Sequence, residues 1–168
     1  MRPQEGDYNP FYQGYIDRVT HLDVLDALAF AHEQTLKTLG SIPEEKGSFR
    51  YAEGKWSIKE VIGHIIDCER IMAYRALRFA RADETPLEGF DENLYAPNAN
   101  VESFMIKDLV NQLNILRIST VDLYLSFSDE MLARKGSANG SPCSVLALGY
   151  IIAGHALHHG NVLAERYF

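Results

Sequence analysis

The chain has 168 residues, 46% of them hydrophobic, and a formal net charge of −7. A chain of this size and apolar content can bury its own core as a single domain, residues 1–168, which excludes disorder. Two cysteines are too few for a disulfide scaffold and fit a reducing compartment. The acidic balance argues against a nucleic-acid partner, whose phosphates need a basic stripe; the densest basic cluster is only Arg75, Arg78 and Arg81. Residues 1–20 lack the apolar segment of a secretory signal. The longest apolar run, Val145 to Gly154, stops at His155, well short of the roughly 20 residues a membrane helix needs. No membrane partner is expected, and the expected location is cytoplasmic.

Along the chain, Asn9-Pro10 pairs a capping side chain with a proline and predicts a short helix. Thr20 and Asp23 offer a weaker start for the next helix. In it Leu22, Leu25, Ala29, His32, Leu36 and Leu39 recur at helical spacing until Gly40 ends the run. Residues 41–54 are polar, with Pro and Gly, and read as a connection. Ser57-Ile58-Lys59-Glu60 is a capping box, and the helix it opens is expected to reach about Arg81. Residues 82–100 hold Pro86 and Pro97 and show no periodicity. A loop this long often serves as a lid or binding loop, which makes Phe90, Asp91 and Tyr95 candidate substrate contacts. A third helix is expected from about Ser103 to Phe127, striped by Leu109, Leu113, Leu116, Thr120 and Leu123. After a Gly/Ser loop (136–141), Ser141-Pro142 reads as the start of a last helix running to about Arg166. No alternating run predicts a sheet. The fold class expected is all-α, a four-helix bundle.

The last helix carries the strongest clue, because Ser141 to Ala164 contains no Asp, Glu, Lys or Arg. A helix apolar nearly all round is buried on most sides. At 100° per residue, Leu148, Ile152, His155, His159, Val162 and Leu163 share one stripe, with His155 and His159 one turn apart near its centre. Two imidazoles at that spacing can chelate one metal ion. Their other reading, a pair that merely hydrogen-bonds inside the core, fits poorly with an otherwise Leu/Ile/Val stripe. His64, at the edge of the second helix's apolar arc, is the candidate third ligand. Three histidines and an open position are the pattern of a catalytic zinc-type site.

Other residues gather around that nucleus. Asp67, one turn beyond His64, is a candidate base or a group that orients a ligand, and equally an ordinary surface carboxylate. Arg75 and Arg78 are candidate contacts for an anionic substrate, although a solvated face accounts for them too. His158 points to the side of the pair and is a candidate rim residue. Glu69 falls inside the apolar arc and is expected to pair with a cation such as Arg117. Cys68 reads as an inert buried thiol, His21 and His32 as structural histidines, and Trp56 as a packing anchor.

Lys55-Trp56-Ser57-Ile58-Lys59-Glu60-Val61-Ile62-Gly63-His64-Ile65-Ile66-Asp67-Cys68-Glu69-Arg70, followed later by Gly154-His155-Ala156-Leu157-His158-His159, resembles the DinB-like superfamily of three-histidine metalloproteins. The resemblance implies an up-up-down-down bundle holding one divalent metal ion, zinc or nickel, with its ligands at His64, His155 and His159. Some relatives transfer groups to low-molecular-weight thiols such as bacillithiol, mycothiol or glutathione, others are labelled metal-dependent hydrolases, and homodimers are common. The function expected is therefore a metal-dependent enzyme acting on a small molecule, activating either a thiol (S-transferase) or a water (hydrolase). The alternative is a non-enzymatic, metal-binding or stress-associated helical module.

Overall fold

A computed structural model describes residues 1–167. Four long helices form a bundle: α2 (Val24–Gly40), α3 (Ile58–Ala80), α5 (Ile106–Leu125) and α7 (Val145–Arg166). A short α1 (Gln13–Ile16), α4 (Glu92–Asn98) and α6 (Asp129–Ala133) lie in the connections, with one β-hairpin, β1 (Lys135–Ala138) and β2 (Ser141–Ser144).

The helix starts follow the local chemistry. Asn9 accepts from the Phe11 N–H ahead of the 3-10 turn Pro10–Tyr12. At α3 the Ser57 hydroxyl accepts from the Glu60 N–H while the Glu60 carboxylate accepts from the Ser57 N–H, closing the capping box. Ser144, not Ser141, caps α7, accepting from Ala147 N–H. Ser141-Pro142 instead lies in β2, and the expected helix start is corrected accordingly. Asn139 and Gly140 both take positive φ, 51° and 70°, the two-residue turn that joins twisted antiparallel strands. The segment expected to be loop at 82–100 contains α4, capped by Asp91, and Leu87 bridges to the hairpin through Ser137 and Asn139.

Each of α2 and α3 packs against both α5 and α7, so α2 and α3 stand diagonally. Helix directions follow from the pairs. Val24 faces Gly149 and Thr35 faces Gly160, so α2 and α7 are parallel. Arg117 bonds the Leu28 carbonyl and Asn114 meets His32, so α5 runs against α2. Val101, just before α5, packs on Gly63, and Arg117 on Glu69, so α3 and α5 are parallel. The bundle is therefore up-down-down-up, and the expected up-up-down-down order is corrected. Two parallel helices adjacent in sequence need a connection that returns along the bundle, and this is why the segment between α3 and α5 is long.

The apolar interior falls into two clusters. One joins α1, the first half of α2, the end of α3, the hairpin and the start of α7; its members include Met72, Phe79, Ile151 and Ile152. The other joins the end of α2, the first half of α3, the start of α5 and the end of α7, including Ile62, Ile65, Leu113 and Leu163. Glu69, Arg117 and His155 fall between the two along their helices, a polar layer across the bundle, with His64 beside it at the edge of the second cluster.

Candidate metal centre

The α3 and α7 stripes meet at this layer. One ring nitrogen from each of His64, His155 and His159 lies within 4.8 Å of the other two. His155 Nε2 is 3.0 Å from His64 Nε2, and the His155 and His159 ring centroids are 4.5 Å apart. Among the described residues this is the one group of three or more His, Cys, Asp or Glu side chains so arranged. Aromatic neighbours hold the rings: Tyr15 packs edge-on to His155 at 5.4 Å, and Trp56 lies 4.8 Å from His64.

Burial lowers all three basicities. His64 falls to about 4 and His159 to about 3, while His155 falls well below the ordinary value, with its histidine neighbours adding to the shift. The rings are therefore neutral near pH 7 and present lone pairs. Three neutral imidazoles with no carboxylate among them suit a borderline ion such as zinc or nickel, so the donor set fits a divalent metal.

A cavity of about 320 Å³ opens beside the cluster, with His64 and His155 in its wall. Its α3 wall continues through Cys68, Met72 and Arg75, facing Leu148 and Ile152 of α7. Tyr12 and Tyr15, the hairpin residues Ala138 to Cys143, and Phe90 and Glu92 close its other sides.

The other residues named from sequence separate clearly. Arg75 is only 5% exposed and borders the cavity, which removes the solvated-face alternative for it. Arg78 instead pairs with Asp83 and the Tyr74 hydroxyl, away from the cavity. Asp67 pairs with Arg70 and lines a separate surface hollow with Gly63 and Val101, so the structure does not bring it to the cavity. His158 is half-buried beside the cluster and does not line the cavity; its Nδ1 is 3.3 Å from Arg18 Nη2 and its ring 5.0 Å from that of His159. Cys68 Sγ approaches His64 Nδ1 at 3.6 Å, but burial pushes the thiol up to about 12, which leaves it protonated. Phe90 reaches the cavity, whereas Asp91 serves as a cap and Tyr95 packs on Phe90. His32 meets Asn114, and His21 packs near Phe30.

Glu92 was not singled out from sequence. It follows the Asp91 cap, a start signal hidden in a segment without periodicity, and its charge reaches His64 across the cavity. Tyr12 and Tyr15 were missed as well, because nothing in the N-terminal sequence ties them to α7.

The sequence profile of the DinB superfamily matches residues 27–163. A protein of Oceanobacillus iheyensis named "putative metal-dependent hydrolase" is 29% identical over 128 residues, covering 73% of this chain and 71% of that protein. The structure of YfiT from Bacillus subtilis, described as "a probable metal-dependent hydrolase with an unusual four-helix bundle topology", superposes with a TM-score of 0.70 at 17% identity. That match covers 99% of this chain and 93% of the other.

Proposed function

The chain belongs to the DinB superfamily, and from that premise we propose that it is a metal-dependent hydrolase of a small molecule, with one zinc or nickel ion held by His64, His155 and His159. The observation that carries this reading is the convergence of three ring nitrogens within 4.8 Å at the wall of a cavity. A divalent ion held there supplies positive charge that makes water more acidic and polarises a carbonyl.

The chain's own groups do the rest. Trp56 and Tyr15 fix the His64 and His155 rings from outside, so each lone pair keeps its direction. Glu92, bordering the cavity and not tied up in an ion pair as Glu69 is, is our candidate to accept the proton that an attacking water loses. It takes the role that sequence reasoning offered to Asp67. Leu148, Ile152 and Met72 give the cavity an apolar wall that holds bulk water back.

The test joins metal analysis of untagged protein to a substrate panel. Expected are about one zinc or nickel per chain, hydrolysis of an ester or amide without added thiol, and loss of both metal and turnover in His155→Ala. Glu92→Gln should keep the metal and lose about 100-fold or more in kcat, the usual contribution of a positioned base. Turnover only with bacillithiol, mycothiol or glutathione present would replace water by a thiol and make the protein a transferase. Stoichiometric metal without turnover on either panel would favour a non-enzymatic module. Metal content near zero after incubation with zinc or nickel would overturn the site itself.

A further inference from the structure

We propose that Arg75 is the specificity residue of the cavity and that the protein takes substrates with an apolar body ending in a carboxylate, an inference that rests on reading the cavity as a substrate pocket. Arg75 is 5% exposed, as deeply buried as the ion-paired arginines of protein interiors, yet no carboxylate lies within ion-pair distance of it among the described residues. Its Nη2 donates to the Glu88 carbonyl at 2.8 Å and its Nη1 to Met72 Sδ at 3.7 Å. The contrast is Arg117, 1% exposed, which engages Glu69 through two 2.8 Å hydrogen bonds and the Leu28 carbonyl through a third. A buried guanidinium costs several kcal/mol in desolvation unless an anion faces it. Around Arg75 the groups are a carbonyl, a thioether, the Tyr12 hydroxyl and the Phe90 ring, whose centroid lies 5.9 Å from Cζ. None of these is a full negative charge, and the side chain borders an open cavity.

The geometry also sets the shape of the ligand. His64, Cys68, Met72 and Arg75 follow one another along α3 at spacings of four, four and three, so they share one face. About 16 Å of helix rise separates the Cα atoms of His64 and Arg75, and the long arginine side chain shortens that span. Between the two ends Met72, Leu148, Ile151 and Ile152 form an apolar wall, and the one carboxylate there, Glu69, is already paired with Arg117. A molecule with its reacting bond at the histidines must cross an apolar stretch before its far end meets the guanidinium. A planar carboxylate there can accept two parallel N–H bonds, which lysine could not offer.

Calorimetry on the purified full chain, metal-loaded and again after chelation, tests this with octanoate, octanamide and octanol as probes. Octanoate should bind about 10- to 100-fold more tightly than the neutral isosteres in both metal states, the range expected for a hydrogen-bonded charge. Arg75→Met should remove that preference while octanol binding survives, and Arg75→Lys should keep a reduced one. Retained octanol binding also reports that each variant's cavity has folded. Equal binding of octanoate and octanamide, no octanoate binding at all, or an unchanged preference in Arg75→Met overturns the proposal. A preference that persists after chelation, alongside absent hydrolysis, would sink the hydrolase reading and leave this one standing.

Discussion

Glu69 and Arg117 meet in the interior with both side chains 2% exposed, and the sequence pointed to them because a carboxylate inside an apolar arc needs a partner. Removing one member strands the other, so Glu69→Gln or Arg117→Met should lower stability by about 3–5 kcal/mol in urea unfolding. The double replacement Glu69→Leu/Arg117→Met should recover much of that loss, which distinguishes a stranded charge from lost packing. The histidines make a second prediction. Folding holds His64 at about 4 and His159 at about 3, so as the pH falls below about 6.5 the unfolded chain takes up protons first. Their contribution is therefore complete above that value and is lost as the pH falls towards 4 and then 3. Urea midpoints of metal-free protein should drop through this window, and His64→Gln/His159→Gln should flatten that part of the curve.

At the scale of elements, legibility tracked how local the signal was. The Ser57 box, the Asn9-Pro10 turn and the shared face of His155 and His159 depend on neighbours within one turn, so spacing alone exposed them. The hairpin was missed: Asn139-Gly140 fell inside what reads as a Gly/Ser loop, and its strands are too short to alternate visibly. The burial of Arg75 was not legible, because it comes from residues distant in sequence, Glu88, Phe90 and the hairpin, and no helical wheel contains them. The approach of α1 to α7 is equally tertiary. A Cβ at Gly154 would lie 2.0 Å from the Tyr15 carbonyl oxygen, so backbone, not a flexible side chain, fills the space. Gly154→Ala should push α1 away, destabilise the protein by about 1–3 kcal/mol, and weaken metal retention by freeing the His155 ring from Tyr15. Ser57→Ala, which removes an ordinary cap, should cost about 1 kcal/mol in the same unfolding assay and leave metal content unchanged.

For the whole molecule, helix order matters more than helix count. The up-down-down-up arrangement makes α3 and α7 antiparallel neighbours, and this is what brings His64 opposite a pair far away in sequence. It also sends the 81–105 connection back along the bundle, where Gly89, Phe90 and Glu92 become walls of the cavity and Leu87 ties the segment to the hairpin. Periodicity found the four helices but carried no information on direction, which depends on long-range pairs such as Val24 with Gly149. An ion bound only by the folded bundle should stabilise it by mass action, about 4 kcal/mol when free metal exceeds Kd a thousandfold. Thermal unfolding with and without chelator should show that shift, and His155→Ala should abolish it.

The chain's one tryptophan, Trp56, rests 4.8 Å from the His64 ring, and that proximity makes the protein its own optical sensor. With no other indole to dilute the signal, its emission reports the surroundings of a single ring already packed as an aromatic anchor. Nickel or copper, whose partly filled d shells accept the excitation, should quench it, whereas zinc with its closed shell should shift the band without extinguishing it. A titration followed this way would count the ions bound per chain and rank their affinities without any added dye.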